Sequence, residues 1–385
     1  MSVILMILYQ SRRRKGRKYK KDEEYFTDNN IKKLKLGPFL TGDDNVSNIT
    51  HGFINIDQPV KKIQSSAQRL YVYNPSIAYD NNGEIVGVSR MTGKIAKECT
   101  YFKDSDFQRD GKIDREMVQY KPKFSNDLST VVMWKLNELP NFTVIPMFSA
   151  EKICDNNDYL ETSQGVEDPR LFSFRGKLWI YAHYRGALSN ECTHAPVIIP
   201  VEDDFNYNSM IRLSTDNMKW IEKNWMPFEY NGELYFIYDI SPHIILKCDL
   251  STGYCREVYR SDNLYYDSIS SKHLGGGAPP VKFMLKGKPY FITIAHTREN
   301  KPHIVRKNFF YVFRAEPPFD IVMVGSEFDV MEDYRAIEFG SGLLLSKDAK
   351  KVIISAGISD CYSVMCEYNL SDVLSTLRHV AEMGR

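Results

Sequence analysis

Apolar residues in this chain fall in short runs that come in pairs, each pair separated by turn residues. Tyr73-Asn74-Pro75-Ser76-Ile77-Ala78-Tyr79 leads through Asn81-Asn82-Gly83 to Ile85-Val86-Gly87-Val88-Ser89-Arg90. Gly165-Val166-Glu167-Asp168-Pro169-Arg170-Leu171-Phe172 leads through Arg175-Gly176-Lys177 to the apolar run from Leu178 to Arg185. Lys223 to Phe228 leads through Asn231-Gly232 to Leu234–Asp239, and Gly276 to Val281 leads through Lys286-Gly287-Lys288 to Tyr290–His296. Each pair reads as a β-hairpin. A weaker fifth runs from Glu338–Leu345 through Lys347-Asp348-Ala349-Lys350 to Val352–Gly357, without the proline and the turn glycine. Between Arg90 and Asp168, the runs Val131–Leu136 and Phe142–Pro146 supply outer strands and a lid loop. The stretch Ser371–Val380 predicts a short helix, with Ser371 as N-cap and apolar residues at 373, 374, 377 and 380.

Five hairpins that cannot bury their own faces predict five sheets in a ring or a solenoid. Their irregular spacing, with long inserts, favours the ring. The expected fold is all-β, a five-bladed β-propeller with an N-terminal extension and a short C-terminal helix. Residues 1–30 form a flexible basic arm in this reading, residues 31–69 pack outside the ring, and residues 70–385 form the propeller. Polar residues at the hairpin ends then converge on a central channel.

Composition narrows the function. Of 385 residues 43% are hydrophobic, which is ample for a core, and the 24 Tyr and 21 Phe suit both pleated surfaces and sugar-stacking platforms. A net charge of +1 gives no global pull toward nucleic acid, so no nucleic-acid partner is expected. The apolar run Val3–Tyr9 is far shorter than the roughly twenty residues that span a bilayer. The basic cluster Arg12–Lys21 follows that run, the reverse of a secretory signal. The functional alternative for this arm is membrane-surface contact.

Seven cysteines show no CxxC pair and no histidine spacing suited to zinc, so no metal is expected. Their odd number argues against a full disulfide framework, and a cytoplasmic location is preferred, although Cys248 and Cys255 could meet across a hairpin in an oxidising compartment. The sequons at Asn48, Asn141 and Asn369 are short enough to arise by chance. Gly275-Gly276-Gly277 runs into Ala278-Pro279-Pro280 and cannot open a phosphate-binding helix, and no cofactor is expected.

Asp168 is the candidate catalytic carboxyl. Proline at 169 fixes its own φ and pushes Asp168 toward an extended conformation at the start of a strand. Burial and the neighbouring Glu167 raise the pKa of Asp168, and Arg170 opposes them. Arg170 is therefore expected to turn away into a salt bridge within its own sheet, with Glu167 as partner. Asn74, Arg90, Tyr184, Asp239 and His296 are further candidates for sugar contacts. Each has a plainer alternative: a turn-capping acid for Asp168, solvated strand ends for Arg185 and Lys223, structural histidines for His243 and His296, and core for Trp225.

Taken with Arg185, Lys223-Asn224-Trp225, His243 and Ser359-Asp360-Cys361, the block Glu167-Asp168-Pro169-Arg170 resembles glycoside hydrolase family 130 over roughly residues 70–370. These are five-bladed propellers that phosphorolyse or hydrolyse β-mannosides, with related mannosyltransferases. The resemblance implies that Asp168 is the proton donor to the glycosidic oxygen, that Arg185, Lys223 and His243 hold phosphate with Arg212 as a second arginine, and that Asp360 binds sugar hydroxyls. Such chemistry needs a positioned acid or base, and an anionic nucleophile replaces the second carboxylate with a cationic cradle. The expected activity is an inverting mannoside phosphorylase or mannosyltransferase. Its partners would be a mannose-type glycan or sugar phosphate, with inorganic phosphate or a nucleotide sugar. The alternatives are a nucleotide-sugar-dependent glycosyltransferase, a glycoside hydrolase and a non-catalytic lectin-like propeller.

Overall fold

The computed structural model describes residues 32–36, 69–94, 102–103, 128–139, 141–145, 164–188, 191–201, 209–219, 222–262, 273–299, 305–330, 334–335, 337–358, 360 and 362–380. The basic arm, most of the extension over 31–69, the sequon at Asn48 and most of the expected lid loop lie outside them.

The described chain is almost wholly β, with one short α-helix. All five hairpins form: Arg69–Tyr79 with Ile85–Lys94, Gln164–Phe174 with Lys177–Leu188, Met226–Tyr230 with Glu233–Ile240, Val281–Leu285 with Lys288–Glu299, and Glu338–Leu345 with Lys351–Ile358. In the turns Arg175-Gly176, Asn231-Gly232 and Lys286-Gly287 both residues have positive φ. That is the two-residue geometry whose twist matches the flanking strands.

The sheets are less separate than expected. The first two hairpins belong to one eight-stranded sheet, because Leu128–Lys135 pairs in parallel with Gln164–Phe174 at Leu128↔Gln164 and Ser129↔Gly165. A Cβ at Gly165, whose φ is 101°, would lie 1.9 Å from Ser129 O, so glycine permits this join. Ser129 Oγ then donates to Val166 O at 2.7 Å. The third hairpin extends into a four-stranded antiparallel sheet through His243–Cys248 and Cys255–Ser261. Cys248 and Cys255 face each other in that ladder and are disulfide-bonded. Around the fourth hairpin, Lys288–Glu299 is flanked by His273–Gly276 and Val305–Arg314. The fifth gains Tyr362–Asn369 and, at its edge, Lys32–Leu36. Among the described residues no sheet closes on itself.

The C-terminal helix is shorter than predicted. It spans Leu370–Ser375, and Asn369 rather than Ser371 occupies the N-cap position. Thr376 N and Leu377 N bond back three residues to Val373 O and Leu374 O, which tightens and ends the helix. The chain then extends, and Arg378–His379 pairs with Ile321–Val324.

Apolar cores lie between successive hairpins. Val88 and Val131 pack with Val166 and Ile180, Phe172 and Tyr181 with Trp225 and Phe236, and Met226 and Ile237 with Phe291 and Tyr311. Ile292 and Ile294 pack with Leu343 and Ile354, and Val72 and Ile77 pack with Leu344 and Met365. Hydrogen bonds follow the same order. Leu171 N donates to Ser76 Oγ (2.9 Å), Trp225 N to Tyr181 Oη (3.1 Å), Gly277 N to Met226 Sδ (3.2 Å), Gly340 N to Asn308 Oδ1 (3.0 Å), and Ser341 Oγ back to Pro75 O (2.8 Å). The last hairpin is thereby tied to the first.

Candidate active site

Two of these hairpins carry the same irregularity. The ladder of the first skips between Tyr73 and Ser76, and that of the second between Glu167 and Arg170. Asn74-Pro75 and Asp168-Pro169 are the residues set out of register. Proline has no N–H to give the ladder, so it sits at a bulge, and a bulge re-aims the side chain beside it. The expectation of an extended Asp168 is corrected here: its φ is 50°, and that of Asn74 is 51°. Such left-handed residues store about 1–3 kcal/mol of strain each and persist where the surroundings hold them. Asn74 Nδ2 donates to Asp168 Oδ1 at 2.7 Å, which holds both. Gly357 packs on Asn74 so closely that a Cβ there would lie 1.8 Å from Asn74 Oδ1.

Alternation along Lys177–Leu188 sorts the next residues. His183 and Arg185 lie opposite Glu167 and Gly165 on one face, and Tyr184 lies opposite Val166 on the other. Glu167 is buried and pairs with Arg90 Nη2 at 3.4 Å and Arg185 Nε at 3.6 Å. Burial alone would raise its pKa, but Arg90, Arg185 and Lys223 outweigh it and hold the group well below the usual carboxylate range. Asp168 is half-buried. Burial and Glu167 push it up, yet Arg90, Lys223 and Arg170 leave it below its ordinary value. Asp168 is therefore a carboxylate at neutral pH, not the raised acid that was expected. His183 donates through Nδ1–H to Glu222 O at 2.8 Å, and burial lowers it to about 4, so its ring is neutral.

Arg170 also departs from expectation. It makes no pair with Glu167; its Nε donates to Gly277 O, its Nη1 to Asp168 O at 2.8 Å, and its Nη2 to Asn224 Oδ1 at 3.4 Å. Its guanidinium lies 4.6 Å from the centre of the Phe339 ring. One fully buried side chain thus touches the third, fourth and fifth hairpins and props the strained backbone at Asp168.

Asn74, Arg90, Asp168, Arg185 and Lys223 are therefore brought together. Lys223 is half-buried and its positive field reaches Glu167, Asp168, His183 and His296. Asp360 has φ 52° and lies two residues past the strand whose Gly357 meets Asn74. His296 is buried beside Phe339, with ring centres 5.1 Å apart.

Four candidates fall elsewhere. His243 is buried against Tyr311 and Phe313, at 6.0 and 5.5 Å between ring centres, and burial lowers it to about 3. Its ring neighbours are aromatic side chains, not the charged residues gathered at Asp168. Arg212 is exposed on the edge strand Ile211–Arg212. Tyr184 packs in the core with Val166 and Ala182. Asp239 pairs with Lys219 at 3.2 Å and caps its own strand irregularity through Ile240 N. Trp225 is core, as its alternative reading held: it is fully buried against Phe236 and Tyr238.

Sequence reasoning missed Glu222. Its buried carboxylate accepts from Trp225 Nε1 at 3.0 Å and Tyr238 Oη at 2.9 Å, which fixes the segment carrying Lys223 and Asn224. The proximity of Glu222 to Lys223 in sequence was the only available signal.

No family model matches the chain. Beta-mannosyltransferase 5 of Candida albicans is 27% identical over 235 residues, 53% of this chain and 38% of that protein. Beta-mannosyltransferase 1 of Komagataella phaffii is 33% identical over 154 residues, 35% of this chain and 23% of that protein. The matched part is thus well under half the length of these curated relatives. Among solved structures, a beta-1,2-mannobiose phosphorylase from Listeria innocua superposes with a TM-score of 0.49 at 12% identity, over 90% of this chain and 99% of that one. The curated relatives agree with the resemblance read from the motif block: in sequence, this chain is similar to beta-mannosyltransferases.

Proposed function

We propose that this chain is a glycosyl-transferring enzyme acting on mannosides, built as a five-bladed propeller with Asp168 as the carboxyl at the reacting oxygen. The cores and hydrogen bonds that link each hairpin to the next, and the fifth to the first, support that architecture. The observation that carries the function is the half-buried carboxylate of Asp168, held in a strained bulge by Asn74 and kept ionised by Arg90, Lys223 and Arg170.

An ionised carboxylate suits synthesis. An acceptor hydroxyl attacks the anomeric carbon of a mannosyl donor, its proton passes to Asp168, and the bond to the donor's phosphate breaks with its electron pair left on phosphate oxygen. Phosphorolysis is the same path reversed, with protonated Asp168 returning its proton to the glycosidic oxygen. The similarity to beta-mannosyltransferases favours the forward direction. The Cys248–Cys255 bond supports an oxidising compartment over the cytoplasm for this reaction.

The test is transfer to a mannan acceptor from mannose 1-phosphate or GDP-mannose, comparing the wild type with Asp168→Asn. A loss of roughly 10²- to 10⁴-fold in turnover with an unchanged fold is expected. Equal turnover in the two proteins would reject the assignment of Asp168, and absence of transfer by the wild type with either donor would reject the activity.

A further inference from the structure

Two Asn-x-Ser/Thr triplets fall within the described residues, and the fold treats them differently. Asn141-Phe142-Thr143 follows the short 3₁₀ helix Leu136–Glu138 and opens the outer strand Thr143–Ile145. Asn141 N donates to Glu138 O at 3.0 Å, which closes the turn at the start of the triplet. Burial then alternates along the chain. Phe142 and Val144 point inward, 7% and 3% exposed, and pack in one core with Ile77 and Trp134. Asn141 is exposed and Thr143 half-buried, so both lie on the outward side. The middle residue of the triplet is the anchor, and the two residues that carry its chemistry face out together. Among the described residues no hydrogen bond holds the Asn141 side-chain amide.

Asn369-Leu370-Ser371 is engaged instead. Asn369 is the half-buried N-cap residue of the short helix, and its Nδ2 donates to Asp372 Oδ2 at 2.8 Å.

The Asn141 segment also lies at the far end of its sheet from the carboxylate site. Thr143 pairs with Met133 and Val86 with Lys135, whereas Arg90 pairs with Val131. Asn137 Nδ2 donates to Glu84 Oε1 at 3.0 Å, which ties the segment to the turn end of the first hairpin. Lys135 lies roughly 13 Å along the strand from Val131 at the ordinary rise per residue. A group built on Asn141 therefore starts away from Arg90 and Asp168.

We propose that Asn141 is an N-glycosylation site that bears an oligosaccharide on Nδ2. The inference rests on the oxidising compartment that the Cys248–Cys255 bond supports, and it is independent of the sugar that the chain itself transfers. A surface Asn-x-Thr in such a compartment is the acceptor motif. The donor is a lipid-diphosphate oligosaccharide. A C–N bond forms between Nδ2 and its anomeric carbon, the C–O bond to the diphosphate breaks with its electron pair left on diphosphate oxygen, and one amide proton passes to the base of the transferring enzyme. Asn141 gives up no hydrogen bond in the process.

The full chain is produced in yeast as wild type, Asn141→Gln and Thr143→Ala, and each is digested without reduction. One half of each digest is treated with peptide N-glycosidase in heavy-oxygen water, which turns a glycosylated asparagine into labelled aspartate. The other half is mapped for the Cys248–Cys255 linkage. Label at Asn141 is expected in the wild type and is lost in both variants, while Asn141→Gln keeps the melt and the mannosyl transfer of the wild type. An unlabelled Asn141 beside a linked Cys248–Cys255 pair overturns the site alone. An unlabelled Asn141 with both thiols free overturns the site and the oxidising compartment together. Label at Asn141 in a chain that transfers no mannose supports the site and rejects the transfer reading alone.

Discussion

Asn74 Nδ2 donates to Asp168 Oδ1 at 2.7 Å, and the two residues occupy matching bulges of successive hairpins with φ of 51° and 50°. Each strained residue is held by the other. Asn74→Gly accepts the left-handed backbone and removes the side chain that holds Asp168, so turnover is expected to fall roughly tenfold with little change in melting temperature. Asn74→Ala keeps the Cβ but loses the polar side chain that lets asparagine tolerate the left-handed region, and should lose about 1 kcal/mol of stability as well. Steady-state rates and thermal melts of both variants check this. Full activity in Asn74→Gly would show that Asp168 needs no partner.

Acid inactivation should follow unfolding, not the titration of Asp168. His183 and His243 are lowered by burial to about 4 and about 3, from 6.5. Unfolding below pH 6.5 therefore takes up protons, so the stability contributed by each neutral ring is complete above pH 6.5 and is lost as pH falls toward its folded value. Each contributes a slope of about 1.4 kcal/mol per pH unit within that window. Asp168 and Glu167 are shifted below 3.8 and 4.5, and their contributions disappear only at lower pH still. His243→Phe should flatten the pH dependence of stability and leave transfer intact at pH 7. A donor-binding defect in that variant would restore His243 to the site.

How legible this was depended on distance along the chain. The five hairpins and three of the two-residue turns were readable because period-two runs and Asn-Gly or Lys-Gly turns are local signals. The joining of the first two hairpins into one sheet depends on Ser129 meeting Gly165, a contact outside any local pattern. Asp168, Arg90, Arg185 and Lys223 stood out as charged residues at strand ends. The direction of the Asp168 shift did not, since it is set by Arg90, 78 positions earlier in the sequence. His243 misled for the same reason: nothing near it in sequence announces Tyr311 and Phe313.

Glu222→Ala leaves the indole N–H of buried Trp225 and the Tyr238 hydroxyl without their acceptor. A loss of about 2–5 kcal/mol is expected, because unmet buried donors cost more than the mean hydrogen bond contributes. Denaturant unfolding measures it. Glu222→Gln retains an acceptor and should recover more than half of the loss.

The Cys248–Cys255 bond closes a short loop, the two cysteines being seven positions apart in sequence. Cys255→Ser is expected to lower stability by roughly 2–3 kcal/mol. Peptide mapping of the unreduced protein should find the two cysteine peptides linked. Finding both thiols alkylated in protein made in an oxidising host would contradict the pairing.

Ser341 Oγ and Ser355 Oγ both donate to Pro75 O, across 266 and 280 positions of sequence. The carbonyl they grip is the one next to Asn74, so the hairpin made last secures the bulge made first. During synthesis, then, the nascent chain can lay down Asp168 and its arginines long before anything clasps Asn74 from behind. Catalytic competence arrives with the final strands, and a ribosome-bound or prematurely halted chain would carry the full set of reactive side chains without the latch that aligns them.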